Sequence, residues 1–252
     1  INHTVSAGET GLTKIVKEIS PAVVTVFRYN MNKQVTGMGS GFFISKEGQL
    51  ITNHHVLAGA FYAEVKTING DIYPITRIVA ESKTADLLKV VVDIPENKVK
   101  WLILKDTLPL IAERVIVIGT PLGLEHTVTE GIVSAVRFIP GRGEFFQMSA
   151  PISQGSSGGP VMNTKGDVTG ISTFIMYMGQ NLNFAVSSRE IGNLTDDINL
   201  SLSEWALGES RNHPGMAEKL CENDVSFTVE GKTQKALEYY RDKTTKMPKD
   251  HM

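Results

Sequence analysis

One hydroxyl stands in a setting suited to acyl transfer. Ser157 lies inside Gly155-Ser156-Ser157-Gly158-Gly159-Pro160, just ahead of the apolar Val161-Met162. Glycines there let the backbone bend tightly and let a carbonyl approach main-chain N–H groups. Such N–H groups can form an oxyanion hole, a large contribution to acyl transfer. Gly and Ser together are more often just a loop, so the pattern needs a base and an acid upstream. Both are present. Gly48-Gln49-Leu50-Ile51-Thr52-Asn53-His54-His55-Val56-Leu57 is a strand-like run ending in two histidines. Asp86, in Lys83-Thr84-Ala85-Asp86-Leu87-Leu88-Lys89-Val90, opens a β-branched run ending at Val92. An aspartate there can accept from a histidine Nδ1–H, fixing its tautomer; the plainer alternative is a turn or a helix cap.

Taken in order, these segments resemble the HtrA/Deg-type serine proteases. The resemblance rests on Gly39-Ser40-Gly41-Phe42-Phe43-Ile44, Ile51-Thr52-Asn53-His54-His55-Val56 and Ala85-Asp86-Leu87-Leu88. It continues through Gly119-Thr120-Pro121-Leu122-Gly123, Thr127-Val128-Thr129-Glu130-Gly131-Ile132-Val133-Ser134 and Ala150-Pro151-Ile152-Ser153-Gln154 leading into the Ser157 loop, covering residues 12–192. It implies His55 as base, Asp86 as its orienting acid and Ser157 as nucleophile, with Gly155, Ser156 and Ser157 forming the oxyanion loop. His54, where the family usually carries asparagine, reads as a turn or packing neighbour.

Ser156 departs from the digestive relatives, in which an aspartate precedes the nucleophile and pairs with a new N-terminus. Ile1 is therefore not expected to be an activation terminus. The oxyanion loop is expected to sit partly collapsed until something orders it.

The elements that must position these residues read as all-β. A short helix over 9–20, with Leu12, Ile15, Val16 and Ile19 at helical spacing, ends at Pro21. Strands are expected at 22–29, 40–46, 49–53, 61–67, 72–80 and 87–92, and again at 113–119, 126–137, 144–150, 160–163, 168–176 and 181–187. That makes two six-stranded antiparallel barrels of the chymotrypsin/trypsin-like type. The domain reading is an N-terminal arm over 1–20 and a protease domain over 21–192, with barrels at 21–100 and 112–192 and Trp101 to Ile111 as the crossing linker. A helix from Ser188 to Leu200 is expected to close it. Residues 193–252 form a C-terminal helical extension in which Ala236, Leu237 and Tyr240 resemble part of a tetratricopeptide helix pair. No PDZ-like segment is recognisable.

By the same resemblance an extended polypeptide pairs with the strand around Thr173, Phe174 and Ile175, by main-chain hydrogen bonds. Ile152, Phe184 and Ala185 line the pocket before the scissile bond; barrel packing is the alternative for Phe184, Met176 and Met178. Pro151 stands six residues before Ser157, where trypsin-like pockets hold an anion, so small or medium aliphatic residues are expected there.

The 252 residues, 41% hydrophobic, suffice for a sizeable core. A net charge of −2 argues against a nucleic-acid or membrane-surface partner. Cys221 is the one cysteine, so no intrachain disulfide forms. No apolar run approaches the ~18 residues of an integral membrane span. The chain begins at Ile1, which reads as a mature or truncated product, and the resemblance implies an exported, envelope-side protein. His3, His126, His213 and His251 lack metal-ligand spacing, although His126 is close enough to the Gly119-Gly123 turn to approach the cleft. Gly231-Lys232-Thr233 lacks the frame of a phosphate loop. No cofactor is called for.

Two function classes follow: a serine endopeptidase, broad or narrowly regulatory, or a protease-fold module that binds peptides or scaffolds partners through its C-terminal helices. Homo-oligomers, trimers among them, are common in the family resembled.

Overall fold

Alternating apolar residues and glycine-rich turns close the chain into two barrels. The computed structural model describes residues 11–120, 126–153, 155–177 and 180–212, with the backbone alone described at 174–177, 180–182 and 209–212. Barrel one contains β1 (Val23–Tyr29), β2 (Val35–Phe43), β3 (Gln49–Thr52), β4 (Tyr62–Lys66), β5 (Ile72–Ser82) and β6 (Leu87–Val92). Its closed order is β1-β2-β3-β6-β5-β4. Barrel two contains β7 (Arg114–Gly119), β8 (Thr127–Ile139), β9 (Gly143–Met148), β10 (Pro160–Met162), β11 (Val168–Tyr177) and β12 (Gln180–Ser187). Read from β7 it has the same order, β7-β8-β9-β12-β11-β10. The all-β, two-barrel class expected from the sequence is the one observed.

Each barrel buries its own interior, and a third apolar cluster joins them. Val24, Leu50, Leu57, Ile78, Leu88 and Val90 fill barrel one. Val115, Val133, Phe146, Met148 and Val161 fill barrel two. Between them, Val23, Phe42, Ile51 and Leu87 of barrel one meet Ile116, Ile118, Phe145, Ile171 and Val186 of barrel two. The linker adds Leu102 to this seam, and helix α1 (Gly11–Ile19) lays Leu12, Val16 and Ile19 against it. Pro21 ends α1 in a 3₁₀ turn, where its missing N–H costs nothing.

Two sequence expectations are corrected. β2 begins at Val35 rather than at residue 40. Gly37 and Gly39 disguised it, since glycine is depleted in strands. Here a Cβ on Gly39 would come within 2.7 Å of Val56, and one on Gly37 within 2.5 Å of Arg28, so both make room for neighbours. The helix expected from Ser188 to Leu200 is also shorter. α3 spans Ser188–Gly192, capped by Ser187. The chain then runs along β5, with Ile198 N–H donating to Val79 and Ile78 N–H to Leu200, before α4 (Leu202–Asn212) begins. Asn193, Asp196 and Asp197 favour turns over a continued helix. A capping box starts α4: the Glu204 carboxylate accepts from Ser201 N–H at 2.8 Å, and Glu204 N–H donates to Ser201 Oγ at 3.3 Å. Met178, Cys221, the tetratricopeptide-like residues and Gly231-Lys232-Thr233 lie outside the described residues, as do His3, His213 and His251.

His126 links the barrels, its Nε2–H donating to Val23 O at 2.8 Å. Burial, the larger influence, lowers its pKa from the ordinary 6.5, against the opposing hydrogen bond to Val23. The folded state thus resists a proton that the unfolded chain accepts, so stability present above pH 6.5 is lost as pH falls through the depressed value. The urea midpoint is expected to drop between about pH 7.5 and about pH 5, and to drop less in His126→Gln.

Candidate active site

β3 delivers the histidine pair. It ends at Thr52, Asn53 is extended, and a single turn, α2 (His54–Leu57), follows. Val56 and Leu57 are buried and anchor that turn, while the His55 side chain stays 49% exposed. Asn53 makes no side-chain cap to α2; its Nδ2 donates instead to Asp86 O at 2.9 Å.

Asp86 lies just before β6 with φ +58°, a left-handed conformation that aspartate tolerates better than most residues. Its surroundings hold it there. The carbonyl also accepts from His54 N–H at 3.1 Å. Carboxylate Oδ1 accepts from His55 N–H at 3.0 Å, and Oδ2 lies 2.7 Å from His55 Nδ1. Thr173 Oγ–H of β11 donates to the same Oδ2 at 3.0 Å, reaching across from barrel two. With Nδ1 donating to the carboxylate, the ring's lone pair is on Nε2, where a base needs it.

Ser157 comes from the loop between β9 and β10. Ser156 N–H donates to Ser153 O at 2.9 Å, Gly158 N–H to Ser172 O at 3.0 Å and Gly159 N–H to Ser156 O at 3.0 Å. Gly155 and Gly158 have φ +94° and +86°. A Cβ on Gly158 would sit 2.1 Å from Ser40 O, so only glycine fits. Ser40 of β2 grips the loop at two points: its N–H donates to Ser157 O at 2.8 Å and its hydroxyl to Gly155 O at 2.7 Å. Among the described residues, Ser157 Oγ and the N–H groups of Gly155 and Ser157 make no hydrogen bond. Ser156 is buried, with its Oγ 3.4 Å from Ser153 N.

The remaining sequence-named residues divide. β11 pairs with β12 as far as Tyr177, but β10 pairs with it only as far as Ile171, so its β10-side edge from Thr173 to Tyr177 has no partner strand among the described residues. Phe184 and Ala185 are buried, and Ile152 packs against the barrel-two interior that contains Ala185. Of Phe174 and Ile175 the backbone alone is described. Thr173, named for its main chain, turns its side chain onto Asp86. The sequence reading did not single out Ser40, Asn53 or the Thr173 hydroxyl; for Ser40 the signal was a serine between two glycines. Among the described residues no cluster of histidine, cysteine or carboxylates could hold a metal. A cavity of about 430 Å³, lined by Tyr29, Phe61, Tyr62 and Leu202, includes none of the residues just described.

A pair of barrels with a histidine–aspartate contact beside a glycine-bound serine loop defines the trypsin-like serine peptidase class. The sequence pattern of that class, described as trypsin-like peptidase domain, matches residues 39–171. The chain belongs to this family, on its HtrA-type branch. It is 34% identical over 197 residues to serine protease HTRA1A of Danio rerio, covering 71% of this chain and 40% of that protein. It is 32% identical to serine endoprotease DegS of Haemophilus influenzae, covering 68% and 55%. A crystal structure of the serine endoprotease from Yersinia pestis superposes with a TM-score of 0.64 at 31% identity, covering 73% of this chain and 65% of that one. The chain thus spans only about half the length of the curated relatives it matches.

Thr173→Val keeps shape and removes one donor to Asp86. It is expected to cost about 1–2 kcal/mol, read from the urea midpoint. Gly158→Ala adds a Cβ against Ser40 O in a left-handed position and is expected to cost at least about 1 kcal/mol in the same measurement.

Proposed function

We propose that the chain is a serine endopeptidase acting on extended polypeptides. The observation that carries this reading is the 2.7 Å contact between His55 Nδ1 and Asp86, beside a serine loop anchored to the same barrel. The substrate lies along the open edge of β11 from Thr173 to Ile175, as an added strand. Ser157 Oγ attacks the scissile carbonyl carbon while its proton passes to His55 Nε2. Asp86 keeps that imidazole oriented and stabilises its charge. The carbonyl oxygen becomes an oxyanion held by the N–H groups of Gly155 and Ser157, with Ser156 keeping the loop between them. Each such donor contributes about 3 kcal/mol. Collapse expels the amine, which takes the proton from His55, and leaves an acyl-enzyme; water, deprotonated by His55, releases the acid.

Ile152 and the wall around Phe184 and Ala185 suit a small or medium aliphatic side chain before the cut, with Pro151 supplying no anion for lysine or arginine. An exported location and assembly with further copies are part of the same proposal and rest on kinship. A binding module without catalysis is the second reading. It is favoured by the Ser157 hydroxyl, which makes no hydrogen bond to His55 in the free protein, although such bonds often tighten only with substrate.

Labelling with a fluorophosphonate, followed by peptide mass spectrometry, tests the proposal. An adduct is expected on Ser157 of the wild type and none in Ser157→Ala, whose kcat/KM falls more than about 10⁴-fold with the fold intact. A folded wild type that never labels, with or without peptide, would establish the binding module instead.

A further inference from the structure

His54 has a use of its own. Its ring meets Trp205 of α4 edge to face, with centroids 5.2 Å apart and planes at 71°. Trp205 Nε1–H donates to Glu81 Oε2 at 2.9 Å, and that same oxygen lies 3.5 Å from His54 Nε2. The group is well enclosed: Trp205 is 3% exposed, and the His54 and Glu81 side chains 13% and 24%. Each member is fixed by a different element. Glu81 lies in β5 opposite Leu88, two residues beyond Asp86. Trp205 belongs to the barrel-one core with Val56 and Leu57 of α2. His54 is the residue whose N–H holds the Asp86 carbonyl, and the following N–H, that of His55, holds its carboxylate.

We infer that Trp205 is a positioning residue for His55, acting through Glu81 and His54. The cluster holds the first residue of α2. The His55 ring is half exposed and bonded to the Asp86 carboxylate, while Arg28 donates to the His55 carbonyl at 3.3 Å, so the orientation of the ring depends on the one-turn helix beneath it. Clamping the His54 side chain fixes the peptide between the two histidines, and with it the angle at which Nε2 faces Ser157. Small errors there are costly, because proton transfer requires close alignment. A helix that follows the second barrel in sequence thus reaches back to set the base in the first.

This inference rests on the peptidase reading, and the experiment separates the two. Trp205→Phe keeps a ring in the core but removes the N–H. Glu81→Leu removes the acceptor of the Trp205 N–H and the carboxylate facing His54, whereas Glu81→Gln retains an acceptor. Trp205→Phe and Glu81→Leu are each expected to lower kcat about tenfold, or about 1.4 kcal/mol of barrier, with KM within about twofold. Glu81→Gln is expected to stay near wild type, and the Trp205→Phe/Glu81→Leu double variant to be no slower than the worse single, as for residues acting as one unit. The fluorophosphonate labelling rate should fall in step with kcat. Variants that lose urea stability but label and turn over like the wild type would overturn the positioning role while leaving the peptidase reading intact. A wild type that does not label would overturn both. His54→Asn provides a further arm should Trp205→Phe not fold, with the same loss of kcat expected.

Discussion

The apolar seam between the barrels is the constraint on which everything else depends. The histidine and aspartate come from barrel one and the serine from barrel two, so the mechanism proposed for them requires the barrels to hold one relative placement. Phe42, Ile51 and Leu87 against Ile116, Phe145, Ile171 and Val186 provide it. Burying side chains of this size contributes about 1.5–3 kcal/mol each. A hydrogen bond nets only about 0.5–1.5 kcal/mol. Packing therefore sets where the barrels sit, and hydrogen bonds set how the groups at the seam's edge are turned.

Two polar residues perform that second task from opposite directions. Ser40, fully buried in β2, reaches the serine loop on both sides of Ser156, and its hydroxyl also accepts from Thr120 N–H at 2.9 Å. Thr173, on β11 of barrel two, reaches back to Asp86. The crossing bonds tie the Ser157 loop to barrel one and Asp86 to barrel two. Asp86 holds a left-handed backbone that costs about 1–2 kcal/mol, offset by hydrogen bonds to both its carbonyl and its carboxylate. Strain of this kind persists where surrounding contacts over-determine it. The result is a histidine fixed against Asp86 and a serine loop anchored to the same barrel.

Much of this was legible in the sequence because the signals were local. Period-two alternation located nearly every strand, and the Ser157 loop declared itself through glycines whose positive φ or closeness to Ser40 leaves no alternative. The His55, Asp86 and Ser157 segments stood in recognisable order. Where local signals conflicted, the reading slipped. Gly37 and Gly39 hid the first half of β2, since their purpose is to admit Arg28 and Val56. The helical pattern after Ser188 suggests one helix, although pairing with β5 takes over from residue 198.

The order and identity of the chemical groups, the strand pattern and the two-barrel class were determined by the sequence itself, through turn chemistry and alternation that act over a few residues. Which hydroxyl would reach Asp86, which serine would hold the nucleophile loop, and that Trp205 would close over His54 and Glu81 were decided only by tertiary structure. Trp205 and Glu81 are 124 residues apart, and Thr173 and Asp86 87 apart. Barrel closure and the seam bring them together, and no local pattern encodes a partner whose position depends on the register of strands far along the chain.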